Sequence, residues 1–373
     1  MRVEFRLGAF SFFIELYPCC EDGKLFSTEE AMERNGVKTL FWFGVLLVGT
    51  VCVFLLNVGL GSVNITGSDI VRVFADELFG QSGVKDNAHL IIWQLRLPRA
   101  MAGLACGAAL AISGLLLQTF FENPIVEPYV LGVSSGSSLF VALVTMGGFT
   151  FGVRQITPLF RFTGAFIGAM LVMAVVLLAA ARVKNVVTLL IVGLMAGYIC
   201  SAAASILSAF AEREQIAGYA IWSMGTFSGF TWQHLPVLYG IVTVSLVLAC
   251  LLAKPLNALQ MGDRYAASMG VNVRAVRCAI ILASSVLSAA VTAFAGPVSF
   301  IGLAVPHICR ILFHTSDSRI LLPAAMLGGA LMAGLCDFAA RTIVSPAELP
   351  LGAITAVIGA PVVVFLLTRK EKL

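Results

Sequence analysis

The sequence predicts an all-α integral membrane protein, a bundle of about ten transmembrane helices, on three observations. Of its 373 residues 59% are hydrophobic and only 12% are charged, against about 25% charged in a soluble domain. Apolar runs of about 20 residues, each long enough to cross a bilayer as a helix, recur from one end of the chain to the other. Small residues crowd those runs, as in Gly103, Gly107, Ala108, Ala109, Ala111, Ser113 and Gly114. Lipid gives helices no hydrophobic reason to associate, so membrane bundles rely on small residues for close approach.

The first 38 residues are different. Glu15, Glu21, Asp22, Glu29, Glu30 and Glu33 dominate them, and the basic-apolar-small order of a signal peptide is missing. Residues 1–38 therefore read as a polar N-terminal leader of unassigned role, either a tail or an upstream extension of a chain that starts at Met32. The adjacent Cys19 and Cys20 are candidates for lipidation. The other seven cysteines sit in or beside apolar runs with no C-x-x-C or Cys/His spacing, and read as small packing residues.

Ten spans follow, at 39–60, 98–118, 130–149, 159–181, 188–210, 235–253, 275–295, 297–313, 320–342 and 351–368. With both termini on one side, the segments on that side hold 13 Lys and Arg residues counted from Arg34 onward, from Arg34 and Lys38 through Arg310 and Arg319 to Lys372, leaving out Arg2, Arg6 and Lys24 of the leader. The opposite segments hold 8: Arg72, Lys85, Arg96, Arg99, Arg154, Arg161, Arg213 and Arg341. The positive-inside bias puts both termini in the cytoplasm. A weak internal echo links the second span, which runs into Asn123-Pro124 and Pro128, with the seventh, which runs into Gly296-Pro297 and Pro306. Inverted repeats with interrupted helices are a common transporter plan.

Several functions are excluded or disfavoured. The net charge of +4 comes with no basic stripe, so nucleic acid is not a partner. There is no G-x-x-x-x-G-K-[ST] phosphate loop, and no catalytic triad, zinc motif or cofactor motif. Ion- and proton-coupled carriers place ionisable groups in their spans. Here the candidates are Asp337, with Arg341 four residues on, and His307. A secondary carrier using these two residues stays open as the alternative function, and a membrane receptor or scaffold as a third.

The loop at 254–276, KPLNALQMGDRYAASMGVNVRAV, is polar and on the predicted cytoplasmic side. It reads as a short helix from Gly262 to Met269 ended by Gly270, with Ala266, Ala267 and Ser268 offering a smooth surface to a partner.

This loop resembles the coupling helix of the FecCD-type permeases, the family that imports iron siderophores, haem and cobalamin. Three further blocks are similar to that family: LRLPRAMAGLACGAALAISGLLLQTFFENPIVEPYVLGVSSG at 95–136, GPVSFIGLAVPHICRILFHTSDSRILLPAAMLGGALMAGLCDFAAR at 296–341 and AELPLGAITAVIGAPVVVFLL at 347–367. The resemblance runs from about residue 40 to the end. It implies a type II importer permease domain over 39–373, ten helices per subunit paired as a homodimer in the bacterial inner membrane. It also implies two P-loop ATPase subunits inside, carrying the ATP and Mg, and a soluble substrate-binding protein outside.

By the same resemblance Arg96, Arg99 and Arg341 face the binding protein, where Arg suits bidentate pairing with carboxylates; snorkelling to lipid headgroups is the plainer reading. Leu259, Gly262, Ala266, Ala267 and Gly270 would touch the ATPase. The segment 188–210 and Trp222, Met224 and Phe227 would line the pathway, or simply pack. A ferric siderophore, the broadest class, is the first candidate cargo, with cobalamin and haem next; in such systems the binding protein and not the permease selects it.

Overall fold

Each of the ten apolar segments contains a helix, but they are not ten straight spans. A computed structural model of the chain describes residues 28–61, 63, 65–79, 86–147, 158–182 and 186–370. The leader up to residue 27, with Cys19 and Cys20, lies outside the described residues, as do Lys85 and Arg154. The chain divides into two compact units, Met1–Val45 and Leu46–Leu373. The helix α1, Thr28–Gly59, begins inside the leader, so the expected boundary after residue 38 falls within a continuous helix.

The remaining helices are α2 (Gly67–Leu78), α3 (Asn87–Phe120), α4 (Val133–Met146), α5 (Pro158–Arg182), α6 (Val186–Ala209) and α7 (Arg213–Ser223). Then come α8 (Leu235–Leu251), α9 (Ala253–Gln260), α10 (Asp263–Ser268), α11 (Val273–Ala295), α12 (Ile301–Phe313), α13 (Ser318–Thr342) and α14 (Leu351–Lys370). No strand occurs among the described residues. Among the described residues six helices are long and apolar enough to cross a membrane (α1, α3, α5, α6, α11 and α13), with a seventh if α8 and α9, bent by 50°, form one span. The remainder of the ten-span expectation falls on shorter apolar helices, α4, α12 and α14.

The shortfall has a local cause. The span expected at 297–313 is helical only from Ile301. Gly296 closes α11 at φ 73°, Pro297 follows, and Phe300 sits at φ 67°, so the backbone runs irregularly before α12 starts. Thirteen residues of helix rise about 20 Å, less than the ~30 Å hydrocarbon core. Likewise α4 starts only after a tight turn at Pro128–Leu131 and Gly132 at φ 73°.

Helix α3 is the centre of the bundle. Of its apolar window 89% is buried, against 17% for α1 and 22% for α6. It packs on α13, α11, α12 and α8, while α4 packs on α5 and α6, and α11 joins the two groups through α5. Glycine pairs set the closest crossings. A methyl group on Gly107 would lie 2.2 Å from the Gly329 carbonyl oxygen of α13, and one on Gly114 would lie 1.8 Å from that of Gly302 in α12. Small polar side chains stitch the same contacts: Ser113 Oγ donates to the Ser284 carbonyl at 2.7 Å, Asn57 Nδ2 to Gly334 at 3.0 Å and Gln118 Nε2 to Gly302 at 3.1 Å. Interhelical bonds of this kind contribute about 0.6 kcal/mol each in a membrane protein.

Candidate functional site

Two groups of residues, at opposite ends of the 46–373 unit, carry the functional expectations. The first lies where α3 and α14 begin and α13 ends. The first turns of α3 are wound wide, as a π-helical stretch at Leu90–Arg96 ahead of Pro98. Proline has no N–H to donate and its ring crowds the carbonyl four residues back, so a wider turn relieves both conflicts. Arg96 and Arg99 flank that proline.

All three arginines are buried, Arg96 at 5%, Arg99 at 8% and Arg341 at 6% exposure. The Arg99 Nε donates to Asp337 Oδ1 at 3.0 Å and Oδ2 at 3.1 Å, and its Nη2 donates to Oδ1 at 2.8 Å. Its Nη1 donates to Glu348 Oε1 at 2.7 Å. Arg341 faces the same carboxylate, Nε to Asp337 Oδ2 at 3.4 Å, and its Nη2 donates to the Asn57 carbonyl at 3.1 Å and to the Asn57 side-chain oxygen. Arg96 Nη1 donates to the Val58 and Gly59 carbonyls at 3.2 and 2.8 Å, and its Nη2 to the Val63 carbonyl. It thereby caps the last turn of α1, whose terminal carbonyls would otherwise lack donors.

The structure thus brings Arg99 and Arg341 together around Asp337 and seats Arg96 on the end of α1. The guanidinium heads are buried, and the hydrogen bonds described here are made within the chain. Of the acidic partners only Glu348 reaches solvent, with 42% of its side chain exposed against 3% for Asp337. Glu348 and Asn57 were missed from the sequence. The signal for Glu348 was its place in the AELPLG segment ahead of α14.

Asp337 is therefore spent on two arginines. His307, the other ionisable group considered for a coupled carrier, lines a small recess with Pro124, Ile125, Leu303 and Val363.

The second group is the loop between α8 and α11. It folds as α9, a turn, and the six-residue α10, with Gly262 at φ 101° and Gly270 at φ 81° bracketing α10. These angles lie in the left-handed half of the map, which glycine enters without steric cost, and they match the short helix ended by Gly270 that the sequence suggested. The five residues expected to form its outer surface divide. Leu259 and Ala266 are packed inside, at 7% and 0% exposure, and Gly262 is half-buried. Ala267 and Gly270 are exposed, joined by Met261, Tyr265, Ser268 and Met269. A six-residue helix lying on a bundle must turn one side inward, which is where Ala266 and the root residue Leu259 fall.

Polar contacts to α11 and to the start of α13 fasten this loop to the bundle. Asp263 accepts from Arg277 of α11 at 2.6 Å. Asn257 donates to Asp317 at 2.6 Å and accepts from the Ser318 N–H at 2.8 Å, at the start of α13.

A third feature is the surface of α6, where Ile191, Met195, Tyr198, Ala202, Ser205 and Ala209 recur at helical spacing and are exposed. Trp222 and Phe227, considered as pathway lining, are buried, whereas Met224 is 50% exposed.

Comparison with known proteins supplies the family. The family model described as the FecCD transport family matches residues 48–369. The chain is 33% identical to the hemin transport system permease protein HmuU of Yersinia pestis, over 88% of this chain and 96% of that one. It is 34% identical to the vitamin B12 import system permease protein BtuC of Yersinia enterocolitica, over 87% of this chain and 92% of the relative. A solved structure described as an inward-facing conformation of an ABC transporter of metal-chelate type is similar at a TM-score of 0.76 and 28% identity, covering 88% of this chain and 98% of that chain.

Proposed function

The chain belongs to the FecCD transport family, and on that premise we propose that it is the membrane-spanning permease through which an ATP-driven importer passes a metal chelate into the cytoplasm. The observation that carries the reading is the family match across 48–369, which includes both the polar α9–α10 loop and the arginine end. The cargo is a ferric siderophore, haem or cobalamin; relatives named for haem and for vitamin B12 support that class. The protein acts as a transporter subunit, and ATP with its Mg is bound by a separate P-loop ATPase pair.

The exposed side of α10, centred on Ala267, Met269 and Gly270, seats on the ATPase. The buried Leu259 and Ala266 hold that surface to the bundle. The apolar stripe on α6 faces a second copy of the chain across the translocation path, which a homodimer would enclose. The N- and C-termini lie in the cytoplasm of the bacterial inner membrane.

The soluble binding protein docks on the arginine end, and Glu348 is the exchangeable group there. Its half-exposed carboxylate covers Arg99, so an acidic residue on a docking lobe takes its place on Nη1 while Asp337 keeps the rest of the head. An exposed pair of this kind is worth at most about 1 kcal/mol, so exchange is cheap. Glu348→Gln is expected to tighten binding-protein docking by about two- to fivefold at low salt, and Arg99→Gln to weaken it, as read by surface plasmon resonance on nanodisc-held permease. Weaker docking of the Glu348→Gln variant would remove this end from the proposal.

A further inference from the structure

A cavity of about 220 Å³ opens at the arginine end of the 46–373 unit, separate from the charge cluster, where α5 and α8 begin and α7 and α11 end. Its walls include Arg161, Phe162, Trp222, Phe230, His234 and Phe294. The aromatic rings are organised around Phe294: Phe162 stacks on it with centroids 3.9 Å apart, Phe230 lies at 5.5 Å and His234 at 5.8 Å. Trp222 is only 8% exposed, yet its Nε1–H has no acceptor. Arg161 Nε is buried and has no acceptor either. His234 uses Nδ1 to accept from the Thr231 N–H at 3.3 Å, which leaves Nε2 on the far edge of the ring. Among the described residues no carboxylate lines the cavity.

Buried donors without acceptors are uncommon, because each forfeits its hydration for nothing. Here a tryptophan and an arginine both leave one beside the same space, with a cation and aromatic walls around it. That combination asks for a ligand that is flat, apolar on its faces and anionic at an edge. The volume is below the ~300 Å³ at which pockets for drug-sized ligands begin, so it takes a single substituted ring and not a whole chelate.

We propose that this cavity is a binding site for an aryl anion, a benzoate- or catecholate-type ring whose charged oxygens meet Arg161 and the Trp222 N–H while its face lies against Phe294. The ring comes either from a free aromatic acid or from the arm of a larger chelate. The site stands on its own geometry and does not depend on the importer reading.

The test uses the full chain in lipid nanodiscs with salicylate as the probe, read by calorimetry and by saturation-transfer NMR. Salicylate is expected to bind, and its neutral counterpart salicylamide at least about tenfold more weakly, since only the anion makes the charge-assisted bond. Arg161→Gln should weaken salicylate by about tenfold or more, with Arg161→Lys recovering part of the loss. Trp222→Phe, which removes the N–H and keeps most of the ring wall, provides a second variant should Arg161→Gln misfold. Displacement of salicylate by an iron-free tris-catechol, whose ring oxygens are not held by a metal, identifies the ring as the arm of a larger chelator; binding of salicylate that this competitor leaves untouched identifies a free acid. Absence of salicylate binding, equal binding of salicylamide, or unchanged affinity in both the Arg161→Gln and Trp222→Phe variants would overturn the site.

Discussion

Replacing Asp337 with Asn is expected to destabilise the folded chain by about 3–5 kcal/mol, among the largest effects of any single substitution. The carboxylate accepts three bonds from Arg99 and faces Arg341 at 3.4 Å, all within a site 3–10% exposed. Bringing these charges out of water costs several kcal/mol each, and the mutual attraction repays it only while both signs are present. Asn leaves the buried Arg341 with no carboxylate and Arg99 with Glu348 alone. Because the cost arises from the unmatched charge and not from loss of a net gain, the paired change Arg99→Met with Asp337→Leu is expected to recover only the part due to Arg99, since the buried Arg341 still lacks its carboxylate. Unfolding by SDS titration, followed by the change in helicity, measures Asp337→Asn beside the paired variant. A loss under 1 kcal/mol for Asp337→Asn would mean the cluster is hydrated.

Charging the exposed side of α10 is expected to have the second large effect, on function instead of folding. Met269→Asp and Ala267→Arg alter side chains that face away from the bundle, so helicity and thermal stability should stay within about 0.5 kcal/mol of the parent. Both put a buried, unpaired charge into the proposed ATPase groove, a change that costs several kcal/mol at an interface, so co-purification of the ATPase and ATP-driven uptake should both fall to background. Force on α10 would pass along two routes: Asp263 to Arg277 on α11, and Asn257 to Asp317 at the start of α13. Asp263→Asn should therefore keep the ATPase bound while lowering the uptake obtained per ATP hydrolysed. Full uptake with Met269→Asp would remove α10 from the coupling proposal.

What the sequence could and could not reveal follows from the range of the interactions. The membrane class came from apolar runs, a local property. The brackets of α10 were legible because Gly262 and Gly270 are local too. The late start of α12 was not, since 297–313 reads as one apolar run and the break depends on Phe300 taking a left-handed backbone. Glu127, on another segment, accepts from the Phe300 N–H at 3.1 Å, which is no property of the 297–313 run. The arginines show the same limit more sharply. Arg99 and Asp337 are 238 residues apart, so residue type and spacing alone did not pair them: Asp337 read as a partner of Arg341 within its own span and Arg99 as an outward-facing head, where the fold joins all three. The cavity beside Phe294 draws its walls from α5, α7 and α11 and from the connection between α7 and α8, and no single stretch announces it.

The most direct measurement is uptake of labelled chelates, with ferric siderophore, haem and cobalamin tested side by side, into proteoliposomes holding this chain, its ATPase and its binding protein. Ionophores should be present to abolish ion and proton gradients. The account predicts accumulation of one of the three that requires ATP, the ATPase and the binding protein together and is indifferent to the ionophores. Uptake that proceeds without ATP and collapses when the gradients are dissipated would contradict it.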